Sequence, residues 1–380
     1  MKKQCKCKKG EFVFKEYNNL IKISSDEKFK FKGGILFACK ICGLIQKKVD
    51  TDFNKKIKYI YNNYAAYSAA EGRENVIHFK KKKSYRSDII LNHIDKNILK
   101  LKKKTILDLG CGSGFTLKRI SYLFPNNNLY AFDYDNKNDK SIKKIRNFKK
   151  FYSGNINKID NKFDLIILMH VFEHINNPIY FLNCLKKKLT PGGVICIQSP
   201  NIEKNFLDIL TFDHISHFNR NSLQDLITKT LFSEVKFFNI LKKEITCIIF
   251  NSSNTNKKNS SIDKYKIKKK ITNFQNKINE INLFKKQVKK IISKNSKKLI
   301  SIFGTTVPSI WIANEVGLDK VYNFIDEDKF KIGKKIFNKK IISPSSLKKK
   351  SILIFPFKKK FVKHLIKKYQ NSNGIIKSFS

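Results

Sequence analysis

Apolar residues in the middle of the chain form short strand-like runs that alternate with helical spacing. Thr105–Leu109 (TILDL) and Asn128–Phe132 are apolar runs, and Phe115–Leu123 between them has apolar residues at helical spacing. Phe163–Met169 (FDLIILM) and Leu189–Gln198 (LTPGGVICIQ) predict two further strands. Apolar runs separated by helical segments are typical of a sheet of parallel strands with helices on its faces. We therefore predict an α/β fold for this part of the chain.

The C-terminal third begins with a polar segment and a long helical pattern. Residues 251–261 (NSSNTNKKNSS) predict a linker. Residues 267–292 place apolar side chains three and four positions apart, which predicts an amphipathic helix that packs on its own chain or on a partner. The predicted elements beyond it are strands at Leu299–Phe303, Val321–Ile325 and Ser351–Phe355 and helices at Pro308–Glu315 and Lys359–Lys368.

Length and composition fit a soluble protein of two to three domains. The chain has 380 residues, of which 41% are hydrophobic, enough to bury a core. No apolar run reaches the roughly 18–20 residues that span a bilayer. The first ten residues (MKKQCKCKKG) are charged and lack the apolar segment of a secretory signal. We expect a cytoplasmic protein with no membrane contact.

The net charge of +49 comes from 79 basic and 30 acidic residues. Only five of the basic residues are arginine, the side chain that recognises bases and phosphates by paired hydrogen bonds. The lysines are spread over the whole chain together with Asn, Ile and Phe, a composition typical of an AT-rich genome. We interpret this charge mainly as surface composition, which argues against nucleic acid as a partner. Attraction of an anionic partner stays open, and a small anionic substrate would be favoured by the same field.

Four of the eight cysteines lie in the first 42 residues, at Cys5, Cys7, Cys39 and Cys42. The pattern C-x-C…C-x-x-C can close a tetrahedral site around Zn²⁺, and the glycine at position 43 permits a tight turn after the second pair. Residues 10–48 contain few apolar side chains, so we expect this stretch to need such a staple. Because cysteine supplies all four ligands, the predicted zinc is structural. Another metal, or reduced thiols without metal, are the alternatives.

A glycine-rich loop follows the first central strand. Gly110, Gly112 and Gly114 let the backbone approach a ligand, and the free N–H groups of the following helix attract a carboxylate or phosphate. Two acids frame the loop. Asp108 stands at the end of the strand, and Asp133 ends the next strand, at about the 20-residue spacing at which an acid meets ribose hydroxyls.

The loop lacks the third glycine of a dinucleotide fingerprint, because Phe115 stands at that position. Its pattern D-x-G-x-G-x-G instead resembles that of class I S-adenosylmethionine-dependent methyltransferases. Residues 163–169, 170–178 (HVFEHINNP) and 189–198 resemble the fourth strand of that family, the segment bordering its methyl donor, and its fifth strand. The resemblance implies a Rossmann-like class I methyltransferase core that binds S-adenosyl-L-methionine. A doubly wound sheet with an empty crevice is the alternative.

The same resemblance assigns the cofactor-binding residues. The three glycines of the loop would make room for the amino-acid end of the donor, and Asp108 would bind its ammonium group. Asp133 would hold both ribose hydroxyls. Asn155 follows the third strand, where this family often has an acid, and would hydrogen-bond the adenine amino group.

Candidate general bases cluster in two short stretches. Methyl transfer requires an aligned nucleophile whose proton is removed. The candidates are His170, Glu173, His174, His214 and His217, and they include four of the seven histidines of the chain. For each histidine, a core residue without catalytic role is the alternative.

The order of the parts is similar to that of the deoxysugar C-methyltransferases, which act on nucleotide-linked ketosugars. Tyr61, Tyr64 and Tyr67 resemble the segment between the zinc module and the core of that family. Its substrate loop carries Tyr-His-Glu-His, and the resemblance makes His214 the general base. Residues 211–213 (TFD) keep an acid before this histidine but replace the other two side chains. O- or N-methylation of a related sugar therefore stays open beside C-methylation.

The C-terminal part resembles the last domain of the same family, most specifically at residues 330–333 (FKIG) and 342–344 (ISP). This resemblance implies a degenerate nucleotide-binding unit that helps to hold the substrate. A scaffold that packs on the core is the alternative. The predicted units are a zinc-binding module (1–60), a methyltransferase domain with an N-terminal arm (61–250), a linker with an amphipathic helix (251–298) and a smaller C-terminal α/β domain (299–380).

These parts together predict an enzyme that transfers a methyl group from S-adenosylmethionine to a sugar. We expect the sugar to be nucleotide-linked and to serve polysaccharide or secondary-metabolite synthesis. His214 would be the base, with His174 and Glu173 lining the pocket. One alternative is an RNA or DNA methyltransferase that uses the basic surface and the zinc module. The other is a non-catalytic module that binds the donor.

Overall fold

The computed structural model of the chain describes residues 10–64, 74, 76–79, 82–232, 234–251, 264–347, 351–358 and 376–379. The predicted helix at residues 359–368, the predicted linker after Asn251, and the side chains of Cys5, Cys7 and Tyr67 lie outside these residues. Every helix within the described ranges is too short or too polar to cross a lipid bilayer.

Short strands and one long helix form the N-terminal part. The elements are β1 (Glu11–Val13), β2 (Lys22–Ile23), β3 (Lys30–Phe31), β4 (Leu36–Cys39), β5 (Ile45–Lys47), α1 (Thr51–Asn62), β6 (Val76–Phe79) and β7 (Lys82–Tyr85). Helix α1 begins after Asp50, whose side chain accepts a hydrogen bond from the Phe53 amide and so caps the helix. The helix continues past residue 60, where the sequence analysis ends the first module.

A mixed seven-stranded sheet lies at the centre of the molecule. Its strands are β8 (Thr105–Leu109), β9 (Asn128–Asp133), β10 (Phe148–Ser153), β11 (Phe163–Met169), β12 (Leu189–Pro200), β14 (Glu234–Phe238) and β15 (Glu244–Phe250). Their order is β10-β9-β8-β11-β12-β15-β14. Strand β15 runs antiparallel to both neighbours, whereas the other pairings in this sheet are parallel. This topology confirms the predicted Rossmann-like fold.

Helices cover both faces of this sheet. They are α2 (Arg86–Asn97), α3 (Phe115–Leu123), α4 (Asp139–Ile142), α5 (Pro178–Lys186) and α6 (Arg220–Thr228). Alternate residues of β11 point to opposite faces, so Ile167 packs with the side chains of α2 and α3, and Leu168 packs with those of α5 and α6. The predicted strands and the predicted helix at 115–123 agree with these elements to within two residues.

A second sheet follows a helix of 30 residues in the C-terminal part of the chain. The elements are α7 (Lys264–Ser293), β16 (Ile300–Phe303), α8 (Val307–Val316), β17 (Val321–Ile325), β18 (Lys335–Ile336), β19 (Lys339–Ile342), β20 (Ile352–Lys358) and β21 (Ile376–Phe379). The strand order is β18-β19-β17-β16-β20-β21. All pairings are parallel except that of β18 with β19. A parallel strand–loop–helix–strand unit therefore occurs twice in the chain.

Helix α7 packs on its own chain. Its apolar side chains, including Phe274, Ile278 and Ile281, are buried in one cluster with residues of the N-terminal part and with Trp311 of α8. Phe14, Tyr17, Leu20 and Ile23 are among the N-terminal residues that share this cluster. Distant segments of the chain therefore contribute to the core of residues 10–48, and the metal staple expected for this stretch stays a prediction.

The N-terminal part also forms a sheet with the central domain. A short strand β13 (Ser216–His217) pairs antiparallel with β5, which gives a four-stranded sheet in the order β1-β4-β5-β13. Strand β2 makes a bridge to Thr211, and the Phe212 amide donates to the carbonyl of Ile23. The loop that carries His214 is thus bound on both sides by the first fifty residues of the chain.

Candidate active site

The glycine loop between β8 and α3 has the conformation that only glycine adopts without strain. Gly110 and Gly114 both have φ of +77°, in the left-handed region. A Cβ at Gly110 would lie 2.3 Å from Val171 Cγ2, and a Cβ at Gly114 would lie 2.7 Å from Ile142 Cγ1. A Cβ at Gly112, by contrast, would meet no atom within 4 Å. The loop is therefore packed at both ends and open in the middle, where a ligand has room.

Asp133 binds this loop from the end of β9. Its Oδ2 accepts a hydrogen bond from the Gly112 amide at 2.6 Å, and its Oδ1 accepts one from the Tyr134 amide at 2.6 Å. Burial raises the pKa of this carboxyl, and the two amide bonds act in the opposite direction. The side chain lines a cavity together with the loop, as a ribose-binding acid requires.

Asp108 is a buried acid that lacks a complete set of partners. It is 2% exposed, and its Oδ2 accepts no hydrogen bond from any described residue. Burial raises its pKa to about 8, and the neighbouring charges of Asp133 and Glu74 add to the shift. Such a carboxyl is unfavourable in the ionised form unless a cation binds to it. The site thus fits the ammonium group of S-adenosylmethionine, and Asp108 lines the cavity wall.

Asn155 lies at the rim of this cavity, in an exposed position after β10. Its side-chain oxygen accepts a hydrogen bond from the Asn157 amide at 2.9 Å and caps the short helical turn that follows. The predicted cofactor residues, from Asp108 to Asn155, are therefore brought together along one wall.

The histidines of the two candidate stretches meet on the opposite side of the cavity. The rings of His174 and His214 lie 4.7 Å apart, edge to face. One ligand atom from each of Glu173, His174 and His214 lies within 4.8 Å of the others. Nδ1 of His174 lies 3.0 Å from the carbonyl oxygen of Asp213 and 3.4 Å from the Tyr61 hydroxyl. Burial lowers the pKa of His174.

Glu173 is completely buried between these histidines. Its Oε1 lies 3.1 Å from Nδ1 of His170, whereas its Oε2 has no hydrogen-bond partner among the described residues. Burial raises the pKa of this carboxyl, but the hydrogen bond with His170 and the charges of His170, His214 and His174 together outweigh burial, and the pKa falls to about 2. His170 itself has φ of +56°, a strained conformation that is typical of functional sites.

An acid that the sequence analysis missed holds His214. Asp208 Oδ1 lies 2.9 Å from His214 Nδ1, and Asp208 Oδ2 lies 2.8 Å from His217 Nδ1. Asp208 stands in the apolar stretch FLDIL, and a lone acid in such a stretch is a signal that could have drawn attention to it. His217 is 2% exposed and does not line the cavity, whereas His214 does.

The N-terminal part contributes directly to this side of the cavity. The Ser25 hydroxyl donates to Asp213 Oδ2 at 2.5 Å, and the Ser25 amide donates to Asp213 Oδ1 at 2.7 Å. Lys47 is buried and donates to the carbonyls of Thr211 and Phe212. Phe212 stacks on Phe53 and takes a core position. These residues fix the backbone on both sides of His214.

The glycine loop, Asp108, Asp133, Asn155, His174 and His214 all line one cavity of about 1850 Å³. It extends from the glycine loop past His214 to the start of α8, where Thr306, Val307 and Pro308 line it. Lys204 of the central domain and Lys277 of α7 also line the wall. Sites for a single small ligand have volumes of roughly 300–1,000 Å³, so this cavity has room for two ligands side by side.

Comparison with known proteins agrees with this geometry. Residues 83–233 match the family model of the methyltransferase domain. This stretch contains the glycine loop, both framing acids and His214. Residues 83–233 form a methyltransferase domain of the S-adenosylmethionine-dependent class.

Curated relatives resemble mainly this domain. The mitochondrial ubiquinone biosynthesis O-methyltransferase of Dictyostelium discoideum is 31% identical over 129 residues, which cover 30% of this chain and 40% of the relative. The tRNA U34 carboxymethyltransferase of Nautilia profundicola is 32% identical, over 31% of this chain and 41% of the relative. The ubiquinone biosynthesis O-methyltransferase of Rickettsia typhi is 26% identical, over 52% of this chain and 85% of the relative. Their names refer to different acceptors.

Only half of the predicted zinc site lies in the described residues. Cys39 ends β4 and Cys42 lies in the turn before β5, where Gly43 has φ of +68°. The Ile41 amide donates to the Cys39 Sγ at 3.4 Å. The Lys40 amide donates to the carbonyl of Gly10, so the chain enters this turn region three residues after Cys7. The zinc site itself stays a prediction.

Proposed function

We propose that the chain transfers a methyl group from S-adenosylmethionine to a sugar that carries a nucleotide. One observation carries this proposal. The donor cradle, which consists of the glycine loop with Asp108 and Asp133, lines the same cavity as His174 and His214, and this cavity continues to the second sheet. When bound, S-adenosylmethionine supplies the methyl group. Gly110, Gly112 and Gly114 give it room, Asp108 and Asp133 bind its ammonium and ribose, and Asn155 lies at the adenine side.

His214 is the proposed base for the acceptor. It removes the proton from the acceptor atom, carbon or oxygen, while the cavity walls hold that atom in line with the methyl group. His174 lines the same pocket and orients the acceptor, whereas Glu173, which the sequence also placed in the pocket, is completely buried and does not line the cavity. The acid Asp213 is retained beside His214, but Phe212 is apolar and packs in the core on Phe53, so it offers no hydrogen bond to an enolate. This difference favours O-methylation over C-methylation.

A nucleotide-linked acceptor is supported by the size and charge of the cavity. The volume exceeds what one small ligand fills, as noted above. Lys204 and Lys277 lie on the wall between His214 and the second sheet, and the N-terminus of α8 opens on its far end. Lysine side chains and helix N-termini both bind phosphate groups. A diphosphate between sugar and nucleoside matches this arrangement.

The test uses the full chain and a donor labelled in its methyl group. The acceptors are nucleoside-diphosphate sugars with a ketone or a free hydroxyl, the same sugars without nucleotide, and RNA. We expect label on a nucleotide-linked sugar, and NMR of the product identifies the methylated atom. Transfer to RNA alone, with steep salt dependence, would contradict the sugar assignment. Donor binding without any transfer would indicate a binding module.

Asp133→Ala provides the matched variant for donor binding. Loss of two charge-assisted hydrogen bonds should weaken donor affinity by roughly 100–10,000-fold in calorimetry. Asp326→Ala, at the equivalent position after β17, is the control and should bind the donor as the wild type does. Equal donor affinity of Asp133→Ala and wild type would refute the assignment of the cradle.

We also propose that Cys5, Cys7, Cys39 and Cys42 hold a structural Zn²⁺. Four thiolates satisfy the tetrahedral preference of zinc, and the amide bond to Cys39 Sγ is of the kind that stabilises a thiolate. Elemental analysis of the purified chain should find one zinc, and Cys42→Ser should lower that content. A metal-free wild-type protein would contradict this site.

A further inference from the structure

The Asp208 carboxylate is enclosed by two histidines from its own loop. Each oxygen faces one imidazole Nδ1, at 2.9 Å for His214 and 2.8 Å for His217. Asp208 is 6% exposed and lies in the turn Phe206–Leu210. The Tyr17 hydroxyl donates to the carbonyl of Ile209 and fastens this turn to the N-terminal part. The carboxylate therefore has little freedom to rotate.

This contact decides which nitrogen of each histidine is available. A carboxylate only accepts hydrogen bonds, so the nitrogen that faces it carries a proton. In the neutral imidazole the lone pair then lies on Nε2. For His217 this nitrogen is buried and has no partner among the described residues. His214 lines the cavity, so of the two histidines it alone presents Nε2 to an acceptor.

We propose that Asp208 is a positioning residue for methyl transfer, which orients His214 and fixes the proton on its Nδ1. His217 hydrogen-bonds the second carboxylate oxygen of Asp208 and so keeps the Asp208 side chain in the orientation that faces His214. In this role neither residue exchanges a proton with the acceptor. The inference rests on the proposed role of His214 as the base, and it adds a residue pair that the sequence resemblance does not assign.

The charges around His214 agree with this role. Those that face it are Asp208 and Asp213 on its own loop, Glu173 and His174 from the turn after β11, and, through Asp208, Lys47 from β5. Burial lowers the pKa of His214, but the charge and hydrogen bond of Asp208 outweigh burial and raise it to about 9. Burial lowers the pKa of His217 to about 4, so this second histidine stays neutral.

The pH dependence follows from these shifts. A base acts in its neutral form, so turnover of the wild type should rise with pH up to about 9. Asp208→Asn removes the negative charge, which lets the pKa of His214 fall and moves this rise to lower pH. Because the proton on Nδ1 is no longer fixed, the plateau of kcat should fall by roughly 100-fold. Donor affinity should stay unchanged.

The decisive experiment is a double-mutant cycle of kcat at saturating donor and acceptor. It compares wild type, Asp208→Asn, His214→Gln and the double variant over a range of pH. If Asp208 acts through His214, the Asp208→Asn change should cost less than about threefold in the His214→Gln background. Equal costs in both backgrounds would overturn the proposal, as would an Asp208→Asn variant with wild-type kcat and pH profile.

Three further measurements separate positioning from folding. Asp208→Glu should restore part of kcat, and His217→Gln should lower kcat by about tenfold while donor affinity stays unchanged. Asp225→Asn on α6, where Asp225 pairs only with Lys229 in the described structure, is the surface control and should leave kcat unchanged. Failure of Asp208→Glu to exceed Asp208→Asn, together with lost donor binding in both, would mean that Asp208 is merely structural.

A readout without turnover distinguishes this inference from the proposed function. Nitrogen-15 NMR of the free protein should show His214 titrating near pH 9 in the wild type and at lower pH in Asp208→Asn. If no acceptor is methylated but this shift is found, the sugar proposal fails and the pairing stands. If His214 titrates equally in both proteins, the positioning role is refuted even for an active enzyme.

Discussion

The chain contains the same strand–loop–helix–strand unit twice, but the two loops differ in length and in the contacts of the acids beside them. Gly110 and Gly304 both have left-handed φ, at +77° and +82°. The amide of each donates to the last apolar residue of the next strand, Phe132 or Ile325, at 2.7 and 2.6 Å. An acid follows in both cases, Asp133 in the first unit and Asp326 in the second.

The first loop leaves space and one acidic oxygen available to a ligand. It runs over five residues from Gly110 to α3, and among the described residues no atom lies near a Cβ at Gly112 and none hydrogen-bonds Asp108 Oδ2. The second loop reaches α8 in three residues. Its acid accepts a hydrogen bond from Thr305 Oγ1 at 2.7 Å, and Lys331 Nζ lies 3.2 Å from that hydroxyl.

The position of Asp108 sharpens the contrast. Two residues before its glycine, the second unit has Ile302, which is completely buried. The first unit thus keeps an ionisable side chain where the second unit keeps an apolar side chain that stabilises the sheet. A shared backbone is therefore not enough to make a binding site. What differs is whether an acid beside the loop has an oxygen that no described residue already hydrogen-bonds, as Asp108 has and Asp326 has not.

The largest effect should come from adding one methyl group to each loop. Gly110→Ala and Gly304→Ala both place a side chain in the left-handed region, at about 1–2 kcal/mol each. Only the first also meets Val171 at 2.3 Å, which adds about 1–3 kcal/mol. We expect calorimetry to find donor binding abolished in Gly110→Ala and retained in Gly304→Ala. Similar donor affinities in the two variants would contradict the proposal that only the first loop binds the donor.

Replacing Asp108 should weaken donor binding, whereas replacing Asp326 should lower only the stability of the fold. Asp108→Asn should weaken donor binding by roughly 10–150-fold, because a hydrogen bond to a charged group is lost. Its folded pKa of about 8 lies above the unfolded value of about 3.9, so its stabilising effect is present below pH 4 and is lost as pH rises through 8. Without donor, the variant should therefore exceed the wild type in Tm at pH 8.

Asp326→Asn is the counterpart for that experiment. It should keep wild-type donor affinity and lose about 1 kcal/mol of stability at the Thr305 hydrogen bond. Thermal unfolding at pH 5 and pH 8, with and without donor, measures both variants. An Asp108→Asn protein that is less stable than the wild type at pH 8 would show that this acid has a partner in the free protein.

Thr305→Val should have the smallest effect. It removes the hydroxyl between Asp326 and Lys331, and we expect a loss of about 1 kcal/mol in the free energy of unfolding. Donor affinity and the acceptor KM should change less than threefold. A tenfold or larger rise in the acceptor KM would contradict this expectation, because it would mean that the second loop binds the acceptor.

Local patterns predicted the elements and the donor cradle. The apolar runs gave β8, β9, β11 and β12 within two residues, because each buried strand is a continuous stretch of sequence. Spacing of three and four gave the buried side of α7. The acids that frame the glycine loop were identified for the same reason, since loop and acids lie in consecutive elements of one unit.

Most of the missed features depend on contacts between distant segments. Lys47 binds carbonyls 164 and 165 residues away, and the Tyr17 hydroxyl binds one 192 residues away. Asp208 lies close to its histidines in sequence, but nothing in the spacing indicates that both imidazoles turn toward it. Strands β2 and β13 have two residues each, too few for any periodic signal.

The pairing of β5 with β13 has a consequence for how this protein can evolve. The first fifty residues supply the strand that pairs with the His214 loop. Exchanging that segment for one from a related chain would therefore also exchange contacts that hold the proposed base in place. Recombination between such genes at the domain border would therefore disrupt chemistry as well as packing. The two segments are bound to be inherited as a pair.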